Sequence, residues 1–295
     1  MPSLARHIQA IMAAAMLAAS PGAVAEDCCA MRDTTATTTV RPIVSAFSLG
    51  IGSEHLCDTY LTPLRYSGWG LQLGYERLQA MRFDPERWIM QLGGTLAAGA
   101  TDNPAGNMTM WEIDLDVRWA MMRRFTVVPG LKLAFGGATG ITLGALYNRR
   151  NGNNPISARA VWTLDATAMA AYNTRLSRLP ITLRYQATMP LVGAFFAPDY
   201  GELYYEIYLG NHSGLAHCAW PGNYFKLSNL LTADLHFGAT ILRLGYSATI
   251  FSSKANEIVS RRVSHLFVIG VTTEWLSLRP RSSDLPKARV ISALY

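Results

Sequence analysis

The sequence predicts an all-β fold, a closed antiparallel transmembrane β-barrel of about ten strands, with twelve as the alternative. Three observations carry this expectation. Long segments alternate apolar and polar side chains with a period of two. No stretch beyond the N-terminal region is an uninterrupted apolar run long enough for a spanning helix. The first 25 residues have the three parts of a secretory signal peptide.

Half of the 295 residues are hydrophobic, yet mean hydropathy is only +0.13 and 16% of residues are charged. That balance is too polar for a helical membrane bundle and apolar for a soluble enzyme. Arg6 and His7 precede an apolar run, Ile8–Ala19; Pro21 and Gly22 break it, and Ala23-Val24-Ala25 supplies small residues before Glu26. The run is well short of the ~20 residues a spanning helix needs. The formal net charge is +6. Its bases are scattered among acids, which suits solvation and attraction to anionic lipid headgroups rather than nucleic acid.

Residues 26–40 are polar and Thr-rich and read as a flexible periplasmic lead. Ten strands are expected over 41–53, 66–81, 86–99, 108–121, 124–148, 155–173, 178–191, 224–237, 240–253 and 260–276, with 277–295 as a periplasmic tail. The segment 110–121 is the clearest. Trp111, Ile113, Leu115, Val117, Trp119 and Met121 share one face, and Glu112, Asp114, Asp116 and Arg118 share the other. Tryptophans near both ends of an apolar face form the girdle pattern of an outer-membrane strand. The same alternation runs through Trp69–Tyr75, Trp88–Leu96, Trp162–Ala168, Ile181–Tyr185 and Val263–Trp275.

Short turns are expected near Phe83-Asp84, Met122-Arg123, Thr174–Ser177 and Gly238-Ala239. They alternate with longer connections at 54–65, 100–107, 149–154, 192–223 and 254–259. An even strand count leaves both ends periplasmic. Twelve strands would result if Gly136-Gly137-Ala138 formed a turn and residues 202–209 also spanned.

The polar face forms the lumen. Its acids are Glu76, Glu112, Asp114, Asp116, Asp165, Asp234 and Glu274, and its bases Arg118, Lys132, Arg159, Arg184, Lys226, Arg243 and Arg262. A turn at residue 123 would set Asp114 opposite Lys132. A turn between 238 and 239 would set Asp234 opposite Arg243. Opposite charges across a strand pair are favourable and unpaired buried charges costly, so a neutral, charge-plugged lumen is expected.

Candidate binding residues fall on the proposed outside loops: His55, Asp58, Tyr204, Tyr205, His217 and Trp220. Cys57 and Cys218 could form a disulfide tying two loops together in an oxidising compartment. The spacing of His55, Cys57, His217 and Cys218 matches no common zinc pattern, so neither metal nor cofactor is expected. No phosphate loop, HExxH or GxSxG motif occurs.

Three stretches resemble an outer-membrane β-barrel family of Bacteroidota: Ser53–Gly68 (SEHLCDTYLTPLRYSG), Leu143–Pro155 (LGALYNRRNGNNP) and Arg262–Trp275 (RVSHLFVIGVTTEW). The resemblance implies the barrel and the outer-membrane compartment, and no activity or site residues. Three roles remain open at this point. The first is a binding or accessory component of an envelope complex, with outer-membrane lipids and an envelope protein as partners. The others are an outer-leaflet lipid-modifying enzyme and a small-solute pore.

Overall fold

A computed structural model describes residues 39–152, 154–177, 179–210, 212–237, 240–275 and 289–294. The expected signal peptide, nearly all of the polar lead and most of the C-terminal tail lie outside these residues.

Strands β1 (Thr39–Val40) and β13 (Arg289–Val290) form a short parallel pair. Ten long strands follow β1: β2 (Ile43–Asp58), β3 (Thr62–Ala80), β4 (Trp88–Asp102), β5 (Thr109–Val128), β6 (Leu131–Asn148), β7 (Ile156–Leu176), β8 (Leu179–Phe196), β10 (Tyr224–Phe237), β11 (Thr240–Ala255) and β12 (Ile258–Trp275). Each pairs antiparallel with its neighbours; β12 closes on β2 and β10 on β8, completing a ten-stranded barrel. Between β8 and β10 lie a short helix α1 (Tyr204–Tyr208) and the edge strand β9 (Ala216–Ala219). β9 pairs with the end of β8 that runs beyond its pairing with β10. The ends of the ten-strand run lie at one mouth, here the terminal mouth; the lid and the β2–β3 turn lie at the loop mouth.

Both features that would have made twelve strands resolve against that count. Gly136-Gly137-Ala138 sits inside β6, paired on both sides, and Tyr204–Tyr208 is helical.

The expected alternation of short and long connections is not what the chain does. Residues 54–58 and 62–65 continue the β2 and β3 ladders, and only Thr59–Leu61 turn. Asn256 and Glu257, both at positive φ, close β11 and β12 in a two-residue hairpin, so 254–259 is not a long loop either. Two consecutive left-handed residues match the twist of the flanking strands. The expected turn at Met122-Arg123 is mid-strand. β5 continues to Val128, and the reversal falls at Pro129-Gly130, with Gly130 at φ +90°. Proline lacks the ladder donor and glycine accepts positive φ, so the chain turns there.

This moves the β5–β6 register by twelve residues. Asp114 faces Gly144, not Lys132, and Lys132 faces Thr126. The other deduced register stands, with Asp234 opposite Arg243.

The wall is apolar outside. On β5, Trp111, Ile113, Leu115, Val117 and Trp119 are exposed while Glu112 and Asp114 are buried. Phe47 on β2 is 65% exposed and Phe267 on β12 56%, values that water would penalise and hydrocarbon would not. The core is therefore the lumen, stacked in layers.

At the terminal mouth Val44, Leu78, Ile89, Met122 and Met169 form an apolar ring around Ala293 and Leu294, which are fully buried. Arg124 donates to the carbonyls of Ser292 (2.7 Å) and Ala293 (3.1 Å). Lys132 donates to that of Leu294 (3.2 Å). The chain's own C-terminal residues thus plug the barrel. At the loop mouth Leu56, Tyr60, Tyr66, Met110, Leu146 and Ile258 form a second apolar cap, with Tyr204 of α1 packed on it.

Candidate functional site

Between the two apolar caps the inward polar positions build two charged belts. Near the terminal mouth, Arg184 clasps Glu76 with two donors, and Arg243 donates to Glu76 at 2.7 Å and to Asp234 at 2.7 and 2.8 Å. Gln186 joins Arg184 to Gln91 across the lumen, its Oε1 accepting from Arg184 at 2.6 Å and its Nε2 donating to Gln91 at 2.7 Å. Near the loop mouth, Arg159 and Arg262 both reach Glu112 and Asp114, the Arg159–Asp114 bond being 2.7 Å; Arg262 also lies 3.7 Å from Glu54. Between these belts Lys226 binds Asp116 at 2.9 Å and Arg118 binds Asp165 at 3.0 Å.

The lumen is thus crossed by ion pairs, as the alternation implied, but its membership differs. Lys132 belongs to the terminal plug, and Glu274 sits exposed at the rim. Glu54 and Asp58, expected on a loop, face inward and are buried. Glu54 and Asp58 add two inward acids, and Arg124, inward at the terminal mouth beside Lys132, adds an inward base. A cavity of about 200 Å³ remains between the belts, lined in part by Ser48, Gln72, Thr95, Thr142 and Thr188.

The expected loop cluster does not converge. Asp58 points into the lumen, accepting from the Tyr60 amide at 3.0 Å and from Ser157 Oγ at 3.4 Å. Tyr204 also points inward. Its hydroxyl accepts from the Ala158 amide at 2.7 Å, and its ring meets Tyr60 edge-on. Tyr60 in turn donates to the Glu202 carbonyl at 2.7 Å, which fastens the lid 197–223 over the mouth. Burial pushes the phenols of Tyr60 and Tyr204 up, because desolvation disfavours the phenolate.

Tyr205 and Trp220 stay on the lid's outer surface, with Tyr200 and Tyr208 beside them in sequence, all more than half exposed. His217 packs on Phe195. His55 faces outward on β2, its Nδ1 2.9 Å from Ser67 Oγ on β3. Cys57 and Cys218 are free thiols. They sit on β2 and β9, and the expected disulfide between them is not formed. No group of three His, Cys, Asp or Glu side chains is placed to hold a metal among the described residues.

Sequence reasoning missed Glu54, Ser67 and the Ala293-Leu294 plug. The first was legible in principle. Glu54, Leu56 and Asp58 alternate with His55 and Cys57, so the period of two runs on through what was read as a loop. Ser67 became a neighbour of His55 only through the tight turn at Thr59–Leu61.

These features define a closed, ten-stranded antiparallel barrel with an apolar wall, an ion-paired lumen and a cap at each mouth. The chain belongs to the family DUF3316, described as protein of unknown function, which matches residues 10–282. No curated protein matches it. Solved structures similar to it include the outer membrane protease OmpT of Escherichia coli, at 7% identity and a TM-score of 0.41, covering 83% of this chain and 99% of that one. The beta domain of the Bordetella autotransporter BrkA is 10% identical, with a TM-score of 0.37 and coverage of 80% and 100%. The translocator domain of the autotransporter NalP of Neisseria meningitidis is 8% identical, with a TM-score of 0.35 and coverage of 82% and 90%.

Proposed function

We propose that this chain is a non-conducting outer-membrane barrel of a Gram-negative cell, of the Bacteroidota type that its loop and strand patterns resemble. It serves as a binding or accessory component of an envelope complex through its lid. The observation that carries this reading is the division of labour between lumen and lid. The lumen is spent on structure: two ion-paired belts and two apolar caps close around a cavity of about 200 Å³. The lid, in contrast, carries exposed Tyr205, Tyr208 and Trp220, residue types that suit interfaces. The apolar wall supports the membrane placement.

Reconstituted in a planar bilayer, the protein is expected to give no large, long-lived conductance steps. Such steps would overturn the plugged reading. Affinity capture from native membranes is expected to recover a stoichiometric partner that is lost when Tyr205, Tyr208 and Trp220 are replaced by serine. Recovery of a clean monomer counts against the accessory role.

A second reading, an outer-leaflet lipid-modifying enzyme, is favoured by the 2.9 Å bond between His55 and Ser67 on the outer wall. A fluorophosphonate probe is expected, on this reading, to modify Ser67 in the native protein and to fail with Ser67→Ala and His55→Asn. An unmodified native protein removes the reading.

A further inference from the structure

The apolar wall carries a polar notch on β2, β3, β11 and β12. On the outward face of β12 and β2, His265 stands directly opposite Ser53. The Tyr246 hydroxyl of β11 reaches up to His265 Nδ1 at 2.6 Å. One step nearer the loop mouth are His55 and Ser67, bonded to each other. Beyond these, Arg65 on β3 and Arg261 on β12 flank the bulge at Cys57 and are both exposed. Two strand spacings separate their backbones, about 10 Å. Neither arginine makes an ion pair among the described residues; Asp102, across from Ser67 on β4, accepts instead from Thr109 at 2.6 Å.

Below the notch, on the same strands, the wall carries an apolar groove. Leu49, Leu73, Leu96 and Ile269 line it, and Gly94 leaves it open. Leu49 lies four residues from Ser53 along β2, which is about 13 Å, near the depth of one leaflet's hydrocarbon.

Polar side chains facing hydrocarbon are costly, so a cluster of them needs a polar occupant. Two unpaired guanidiniums above the cluster call for an anion, and guanidinium matches phosphate geometry. An apolar channel running down from the anion site calls for an attached chain. We propose that notch and groove together form a binding site for one phosphate-bearing membrane lipid. Its phosphate lies between Arg65 and Arg261, over Ser67 and His55, and an acyl chain lies in the groove. This rests on the membrane placement proposed above and goes beyond it by naming a site.

The test uses the full-length protein, delipidated in detergent and then offered lipid while native mass spectra are recorded. Phosphatidylglycerol is expected to bind at least about tenfold more tightly than diacylglycerol, the value of a charge-assisted pair or better. Arg65→Gln with Arg261→Gln should abolish that preference. Gly94→Leu should weaken phosphatidylglycerol several-fold by filling the groove, since a side chain there meets only the Asp116 carbonyl, at 4.0 Å. Glycerol phosphate, which lacks a chain, should not bind measurably. Equal binding of the two lipids, or an undiminished preference in the double arginine variant, overturns the site. Co-flotation with phosphatidylcholine vesicles separates the two claims. A protein that inserts but shows no phosphate preference refutes the site alone, whereas one that inserts into no vesicle refutes the membrane placement and the site together.

Discussion

Replacing Glu76 with leucine is expected to lower the unfolding free energy by about 3–5 kcal/mol, the cost of stripping a buried ion pair of one partner. Glu76 is the acceptor shared by Arg184 and Arg243, which are 1% and 2% exposed. Arg243 keeps Asp234 after the substitution, but Arg184 keeps only the neutral Gln186. An almost fully buried guanidinium would then face the lumen without a counter-charge. Urea unfolding of the folded barrel in detergent measures the loss. The double variant Glu76→Leu with Arg184→Met removes both charges together and is expected to recover most of it, because an apolar pair of similar volume replaces the ion pair. A single variant within about 0.5 kcal/mol of the native protein would show that the belt does not hold the barrel.

A second prediction reverses the sign that strand propensity would assign. Valine is favoured over glycine in strands, so Gly144→Val and Gly94→Val ought both to stabilise. Gly144 faces inward on β6, and a side chain there would occupy the space of the Asp114 carboxylate and press on the Ile113 carbonyl. Asp114 cannot swing aside without leaving Arg159 and Arg262. Gly144→Val is therefore expected to destabilise by about 3–4 kcal/mol. Gly94 faces outward on β4, with only the Asp116 carbonyl near, at 4.0 Å. Gly94→Val is expected to be neutral or mildly stabilising. The contrast is read in parallel urea titrations, and equal effects at the two positions would refute the glycine's role as a cradle for the loop-side belt.

Strand identity and face were legible wherever a period of two persisted. Trp111 through Trp119 were placed outward and Glu112 through Arg118 inward from the alternation alone, and the structure agrees. Register was legible only where the turn was correctly placed. With the reversal between 238 and 239, Asp234 met Arg243; with it misplaced at Met122-Arg123, Lys132 was assigned to Asp114 instead of to the tail. Pro129-Gly130 carried the stronger turn signal.

The binding residues were the least legible part, because residues adjacent in sequence diverge in space. His55 and Asp58 share one strand but lie on opposite sides of the wall, and Tyr204 and Tyr205 lie on opposite sides of the lid. The period of two, followed past residue 53, sorts His55 from Asp58, whereas only the lid's fold sorts Tyr204 from Tyr205.

By itself the sequence determined the class of fold and the sign of each face along the strands it marked, because alternation is a local property that every strand repeats; the choice of ten strands over twelve came from the structure. Which charge meets which across the lumen, and that the final residues turn back to fill one mouth while a short helix covers the other, was decided only by the closed barrel. Arg184 and Glu76 are 108 positions apart, and Arg124 reaches a carbonyl 168 positions away. Closing the sheet on itself sets those distances, and no window of sequence contains both partners.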